Sequence, residues 1–204
     1  YTEGAGVRVA IIDTGIDSSH RDLQAKVDGG VNAITDCERV ECWQDDNGHG
    51  THVAGTVGAA RDNRGVVGVA PRARLYAVKV LDADGSGSLS DVIKGVIWAA
   101  NNNMQVANMS LGSPMPSDTL HRALRYAKAR GVIVVAAAGN GQGAVTRPAN
   151  CRGVVAVAAL NRDGFKAHYS SFGREVTLAT VGGDDVGGPS GQLLTDGGLL
   201  TLFN

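Results

Sequence analysis

The sequence predicts an α/β fold built on a mostly parallel sheet. Three observations carry this. Short β-rich runs alternate with helical stripes, the pattern of strands joined by crossover helices. The run Val132–Ala138 is almost wholly apolar, as expected of a parallel strand covered on both faces. The composition is that of a packed chain with tight turns. Of 204 residues, 43% are hydrophobic, only 4% are aromatic and 29 are glycine, about double the usual glycine share. This length suffices for one sizeable core, so a single domain over residues 1–204 is expected. The apolar content is too high for a disordered chain.

Each element has its own signal. Val7–Ile12 reads V-R-V-A-I-I and runs into Asp13-Thr14-Gly15, a strand followed by a tight turn. After an irregular stretch at 37–46 comes N-G-H-G-T-H-V-A-G-T-V, from Asn47 to Val57. Its small residues suggest a helix packed closely on other backbone, with His49 at its N-terminal end. Arg74–Val80 is a second strand. Leu89, Val92, Ile93, Val96, Ile97 and Ala100 fall at helical spacing, with Ser88 and Ser90 as candidate N-caps. Val106–Met109 is a short buried strand. Leu120, Ala123, Leu124 and Ala127 form another helical stripe, opened near Ser117 and closed at Gly131. Val132–Ala138 and Val154–Leu160 are further strands. The segment 182–198 is Gly-rich and poorly periodic, and reads as loop or weak strand. No internal repeat or linker is evident.

The charge balance narrows the function classes. Lys and Arg number 19, Asp and Glu 20, for a formal net charge of −1. Nucleic-acid binders usually carry a basic excess, so none is expected here. No apolar run approaches the ~18 residues of a transmembrane helix, and no membrane partner is expected. The first residue is Tyr1 rather than Met, so the chain is expected to be a processed form or a fragment, with any targeting segment out of view. Three cysteines leave at least one without an intrachain partner. Either all three are ordinary thiols, or Cys37 and Cys42 close a small loop and leave Cys151 over. A bridge would imply an oxidising compartment. A metal site using them lacks ligands at suitable spacing.

In parallel sheets the chemistry sits beyond the carboxyl ends of the strands. There the sequence places Asp13, then Ser110-Leu111-Gly112 after Val106–Met109, then Gly139-Asn140 after Val132–Ala138. His49 opens a helix nearby in sequence. An acid, an imidazole and an amide donor are three parts of an acyl-transfer site. The acid orients the imidazole, the imidazole moves the nucleophile's proton, and the amide donates to the oxyanion.

These residues resemble the subtilisin-like serine proteases, the subtilases. The matching blocks are Asp13-Thr14-Gly15, H-G-T-H-V-A-G from His49 to Gly55, and Ala138-Gly139-Asn140. The resemblance continues through G-V-V-G-V-A-P at 65–71, D-G-S-G at 84–87 and N-M-S-L-G at 108–112. It implies a three-layer, doubly wound sheet with helices on both faces. It implies that Asp13 orients the imidazole, that His49 is the general acid/base, that His52 is a structural histidine, and that Asn140 is the oxyanion donor. Extended polypeptide substrates would add as a strand between Gly85-Ser86-Gly87 and Ser110-Leu111-Gly112. Ala137, Ala138 and Gly139 would wall the pocket for the residue before the scissile bond. The small side chains there leave room for a large apolar group. A structural Ca²⁺ is also implied, with side chains of Asp22 and Asp62 and carbonyls of Ala60, Arg64 and Val66 as ligands. Arg147-Pro148 matches a turn that often holds a cis proline. The family further implies a secreted, monomeric protein and a pro-segment or proteinaceous inhibitor as partner.

The family's nucleophile block, Gly-Thr-Ser followed by small residues, is absent from the 204 residues. Ser190 lacks the preceding Thr, and Ser171 matches a different segment. The family's N-terminal helix is also missing, and with it a calcium ligand. A sequence truncated at both ends is therefore expected, and no acyl-enzyme from this chain alone. Apolar surface near Val134 and Val155 is expected to be exposed or collapsed, leaving a marginally stable or aggregating chain. Four rival readings remain. His49 and His52 could bind zinc, though H-G-T-H lacks the metalloprotease Glu. Gly4-Ala5-Gly6 precedes its strand, which argues against a dinucleotide site. Asp62 could be an ordinary turn residue. The non-enzyme reading is a serine-less domain that binds peptide or acts as a scaffold.

Overall fold

The computed structural model describes residues 2–184. Its strands are β1 (Arg8–Asp13), β2 (Val27–Asn32), β3 (Arg74–Lys79), β4 (Val106–Met109), β5 (Ile133–Ala137), β6 (Val155–Leu160) and β7 (Leu178–Val181). The helices are α1 (His49–Gly58), α2 (Leu89–Asn101) and α3 (Asp118–Ala129), with a short 3-10 turn at Val40–Cys42. The strands form one sheet in the order β2-β3-β1-β4-β5-β6-β7, and every strand pair in it is parallel. This is the doubly wound α/β arrangement. β1 leads one way to β2, its neighbour β4 leads the other way to β5, and a crevice opens between strands that part like this.

Alternation along β1 sorts the core into two layers. Val9 and Ile11 pack with Ala54 of α1 and with Leu75 and Ala77 of β3. Ala10 and Ile12 point the other way, into a cluster with Val92 and Val96 of α2 and Leu120 and Leu124 of α3. Ile11 and Ile12 are both fully buried, each contributing about 1.5–3 kcal/mol of apolar transfer. Helices α2 and α3 begin at the caps the sequence suggested. Ser88 accepts from the Asp91 amide and Ser117 from the Leu120 amide.

The other end of the sheet is covered differently. Ala107, Met109, Val134, Ala136, Ala156 and Ala158 are buried on the α2/α3 side. On the opposite face Val135, Ala137, Val155 and Val157 are half-buried, and Ile133 is 55% exposed. Among the described residues no helix lies over that face. The expected apolar exposure is thus corrected in its residues. Val134 is buried, and it is the odd-numbered positions of β5 and β6 that are open, because strand side chains alternate between faces.

Two strands escaped the sequence reading. β2 reads V-D-G-G-V-N, which shows neither a period of two nor a continuous apolar run. β7 is a four-residue edge strand whose residues are all exposed. Cys37 and Cys42 are joined in a disulfide, and Cys151 is a buried free thiol. This removes the reading of three ordinary thiols. Arg147-Pro148 is cis. Ser190 and the 185–198 part of the Gly-rich segment lie outside the described residues.

Candidate active site

Four sheet neighbours place the sequence-predicted groups along one rim. β3 ends at Lys79 and leads to the loop holding Gly85-Ser86-Gly87. β1 ends at Asp13. β4 leads to Ser110-Leu111-Gly112, and β5 to Ala138-Gly139-Asn140. Because the strands are parallel and adjacent in this order, the two wall segments flank the end of β1. The loop at 82–87 is tied to the His49 region by Asn47 Nδ2 donating to the Ala83 carbonyl. Gly112 and Gly139 both approach the Thr146 hydroxyl. A Cβ on either would meet it at 2.8 and 3.1 Å.

Asp13 is fully buried and His49 opens α1. The ring Nδ1 lies 2.7 Å from Asp13 Oδ1. An ionised carboxylate only accepts, so Nδ1 carries the proton and Nε2 is left as an acceptor. The Thr14 amide donates to the same oxygen at 2.8 Å. The histidine side chain is 47% exposed, so part of the ring is open to solvent. Its bond to Asp13 raises the His49 pKa. Burial opposes this, and the charges of Asp13 and Asp45 add to it. His52, half-buried one turn along α1, is lowered by burial and by the His49 charge. The close approach of α1 to the β1 turn requires glycine at position 50, where a Cβ would stand 2.1 Å from the Gly15 carbonyl oxygen.

Asn140 is exposed. Ser171 is fully buried. Its amide donates to the Gly139 carbonyl, and its hydroxyl accepts from the Gly141 amide at 3.4 Å. It braces the Gly139 turn, and no described hydroxyl is bonded to His49 Nε2.

Of the predicted calcium residues, Ala60 and Val66 contact Asp22. This side chain is 1% exposed and reaches into the loop at 60–66. The Val66 amide donates to its Oδ2 at 3.1 Å, and the Ala60 amide donates to its main-chain carbonyl. A Cβ on Gly65 would lie 1.9 Å from Oδ2, so the loop backbone closes directly on the carboxylate. Oδ1 is buried without a hydrogen-bond donor. Its charged neighbour is the largely exposed Arg21 guanidinium, which pairs with it at 3.4 Å. A buried carboxylate oxygen that no hydrogen-bond donor reaches suits a hard cation. Asp62 is exposed and accepts from the Arg64 amide. Among the described residues no group of three or more His, Cys, Asp or Glu is placed to hold a metal ion.

The sequence reading missed Thr14, Asp45, Asp46 and Lys79. Lys79 is buried. Its ammonium donates to the Thr14 carbonyl and to Asp46, both at 2.6 Å. The available signals were two adjacent carboxylates just ahead of His49, and a lysine following the run L-Y-A-V in β3.

Residues 4–201 match the model of the Subtilase family, Peptidase S8. The chain belongs to the subtilase family. Subtilisin Savinase of Lederbergia lenta is 49% identical over 180 residues, covering 88% of this chain and 65% of its own. A thermostable alkaline protease of Halalkalibacterium halodurans is also 49% identical, with 88% and 48% covered. Subtilisin E of Bacillus subtilis is 46% identical over 187 residues, with 89% and 48% covered. A solved structure, that of a cold adapted subtilisin-like serine proteinase, superposes with a TM-score of 0.80 at 35% identity, covering 88% of this chain and 64% of that one. The chain thus spans about half to two thirds of the length of these subtilase relatives.

Proposed function

We propose that this chain is the part of a subtilase endopeptidase that holds the proton-transfer pair and both substrate walls. The supporting observation is the 2.7 Å bond between His49 Nδ1 and the buried Asp13 carboxylate, at the crevice of a doubly wound sheet. A serine of the G-T-S block, which is not found within these 204 residues, would attack the peptide carbonyl. His49 Nε2 would take its proton and return it to the leaving amine. Asp13 would stabilise the imidazolium, and the Asn140 amide would donate to the oxyanion. Polypeptide substrates would lie between Gly85-Ser86-Gly87 and Ser110-Leu111-Gly112, with the preceding side chain against Ala137, Ala138 and Gly139. A pro-segment or inhibitor would use the same groove. The relatives named as alkaline proteases and subtilisins support a secreted location, as does the Cys37–Cys42 bridge. The working form would be a monomer.

Asp22, with loop carbonyls of Ala60, Arg64 and Val66 and the Asp62 carboxylate, would hold a structural Ca²⁺. It would stabilise the loop and take no part in the reaction. Calcium should raise the thermal midpoint of the wild type, and Asp22→Asn should remove that response.

A fluorophosphonate probe tests the enzyme reading. A form carrying the G-T-S block should be labelled on that serine, and His49→Ala should abolish labelling. The 204-residue chain should stay unlabelled. Labelling that survives His49→Ala, or that falls on a serine within residues 1–204, would overturn the reading.

A further inference from the structure

We propose that Thr14 and Asp45 are positioning residues: they fasten the end of β1 to the start of α1 and so set Asp13 against His49. This rests on the reading of Asp13 and His49 as the proton-transfer pair. The two residues are 36 positions apart and belong to different elements. One hydrogen bond to a half-exposed imidazole does not fix their separation, because the ring can turn away into water.

Thr14 directly follows Asp13 and is fully buried. Its hydroxyl donates to Asp45 Oδ1 and accepts from the Gly50 amide, both at 2.8 Å. Gly50 directly follows His49. The hydroxyl is therefore bonded one residue away from each member of the pair. Asp45 Oδ1 also accepts from the amides of Asn47 and Gly48 at 3.0 Å, while Oδ2 accepts from the Thr51 amide at 2.8 Å and the Thr51 hydroxyl at 2.6 Å. One carboxylate thus holds both sides of His49 along the chain as well as Thr14. It also does the work of a cap, since the residue at the N-cap, Gly48, has no side chain, and negative charge is favoured at a helix N-terminus. Burial pushes the Asp45 carboxyl up, but its bonds from Thr51, Gly48 and Asn47 outweigh this and hold it below its ordinary value. The carboxylate therefore stays charged. Lys79 grips the Thr14 carbonyl from below, so Thr14 is held at both its hydroxyl and its carbonyl.

A merely structural cap makes a different prediction, and Thr14→Val separates the two. This near-isosteric change removes the hydroxyl bonded to both Asp45 and Gly50 and leaves Asp45 its four bonds within the α1 segment. The readout is the His49 Nδ1 proton resonance of the 204-residue chain, which lies at low field while the ring donates to a carboxylate. Thr14→Val and Asp45→Asn should each shift it upfield or lose it to exchange. Thr14→Ser, which keeps the hydroxyl, should restore it. Wild-type resonances in folded Thr14→Val and Asp45→Asn would overturn the proposal, as would failure of both variants to fold, which would make the residues structural only. Asp13→Asn separates the two readings. If it too leaves the resonance unchanged, the proton-transfer reading fails; if it alone moves the resonance, only the positioning role fails.

Discussion

The two ends of the sheet are built to different standards. In β3 and β1 successive residues are buried on both faces, under α1 on one side and α2 on the other. In β5 and β6 only the residues facing α2 and α3 are fully buried. The first end carries Asp13, a carboxylate with no exposure at all. The second carries Asn140, a neutral and exposed amide. Burying a charge is costly unless it is paired and hydrogen-bonded, whereas a neutral donor at a strand end needs no such housing. The double cover and the Thr14–Asp45–Lys79 framework therefore lie at the end that buries a carboxylate.

The largest effects should follow this division in a form that carries the nucleophile block. His49→Ala should lower kcat by about 10⁶-fold and Asp13→Ala by about 3 × 10⁴-fold, while Asn140→Ala should lower it by about 10²–10³-fold; these sizes are those known for subtilisin. Steady-state peptide hydrolysis checks the ranking, and an Asn140 variant as impaired as His49→Ala would erase the distinction. Next comes stability, measured by urea unfolding of the 204-residue chain. Ile11→Ala, at a fully buried site, should cost about 2–5 kcal/mol. Ile133→Ala, at a site 55% exposed, should cost under about 1 kcal/mol. Equal costs would show that the open face is covered in solution.

The smallest effect concerns pH. The Asp45 pKa is lowered in the folded chain, so its contribution to stability is present above the ordinary value of about 3.9 and is lost as pH falls through the folded value. Thermal midpoints between pH 5 and 2 should fall less steeply in Asp45→Asn than in the wild type. Parallel curves would mean that the Asp45 bonds add nothing beyond the rest of the loop.

Legibility in the sequence followed the same division. Strands with continuous apolar runs, such as Val132–Ala138, and helices with clear stripes and serine caps could be read within a residue or two. β2 could not, because Asp28, Gly29 and Gly30 interrupt its pattern and the strand is recognised only beside β3. β7 could not, because an exposed edge buries nothing that would leave a periodic trace. Asp13 and His49 were readable from their motifs. Thr14, Asp45 and Lys79 were not, because their roles depend on bonds between segments more than thirty residues apart in sequence. A buried lysine or an over-bonded carboxylate looks like any surface charge until the fold supplies its partners.

Titration of the His49 ring by NMR in the 204-residue chain tests most directly whether Asp13 holds it as a charged partner. A raised pKa means that the pair stabilises the folded state below the ordinary value near 6.5 and that this contribution is lost as pH rises through the folded value. The prediction is a midpoint above about 6.5 that drops in Asp13→Asn. A midpoint at or below that value, or one indifferent to Asp13→Asn, would mean that Asp13 is no charged partner of the ring.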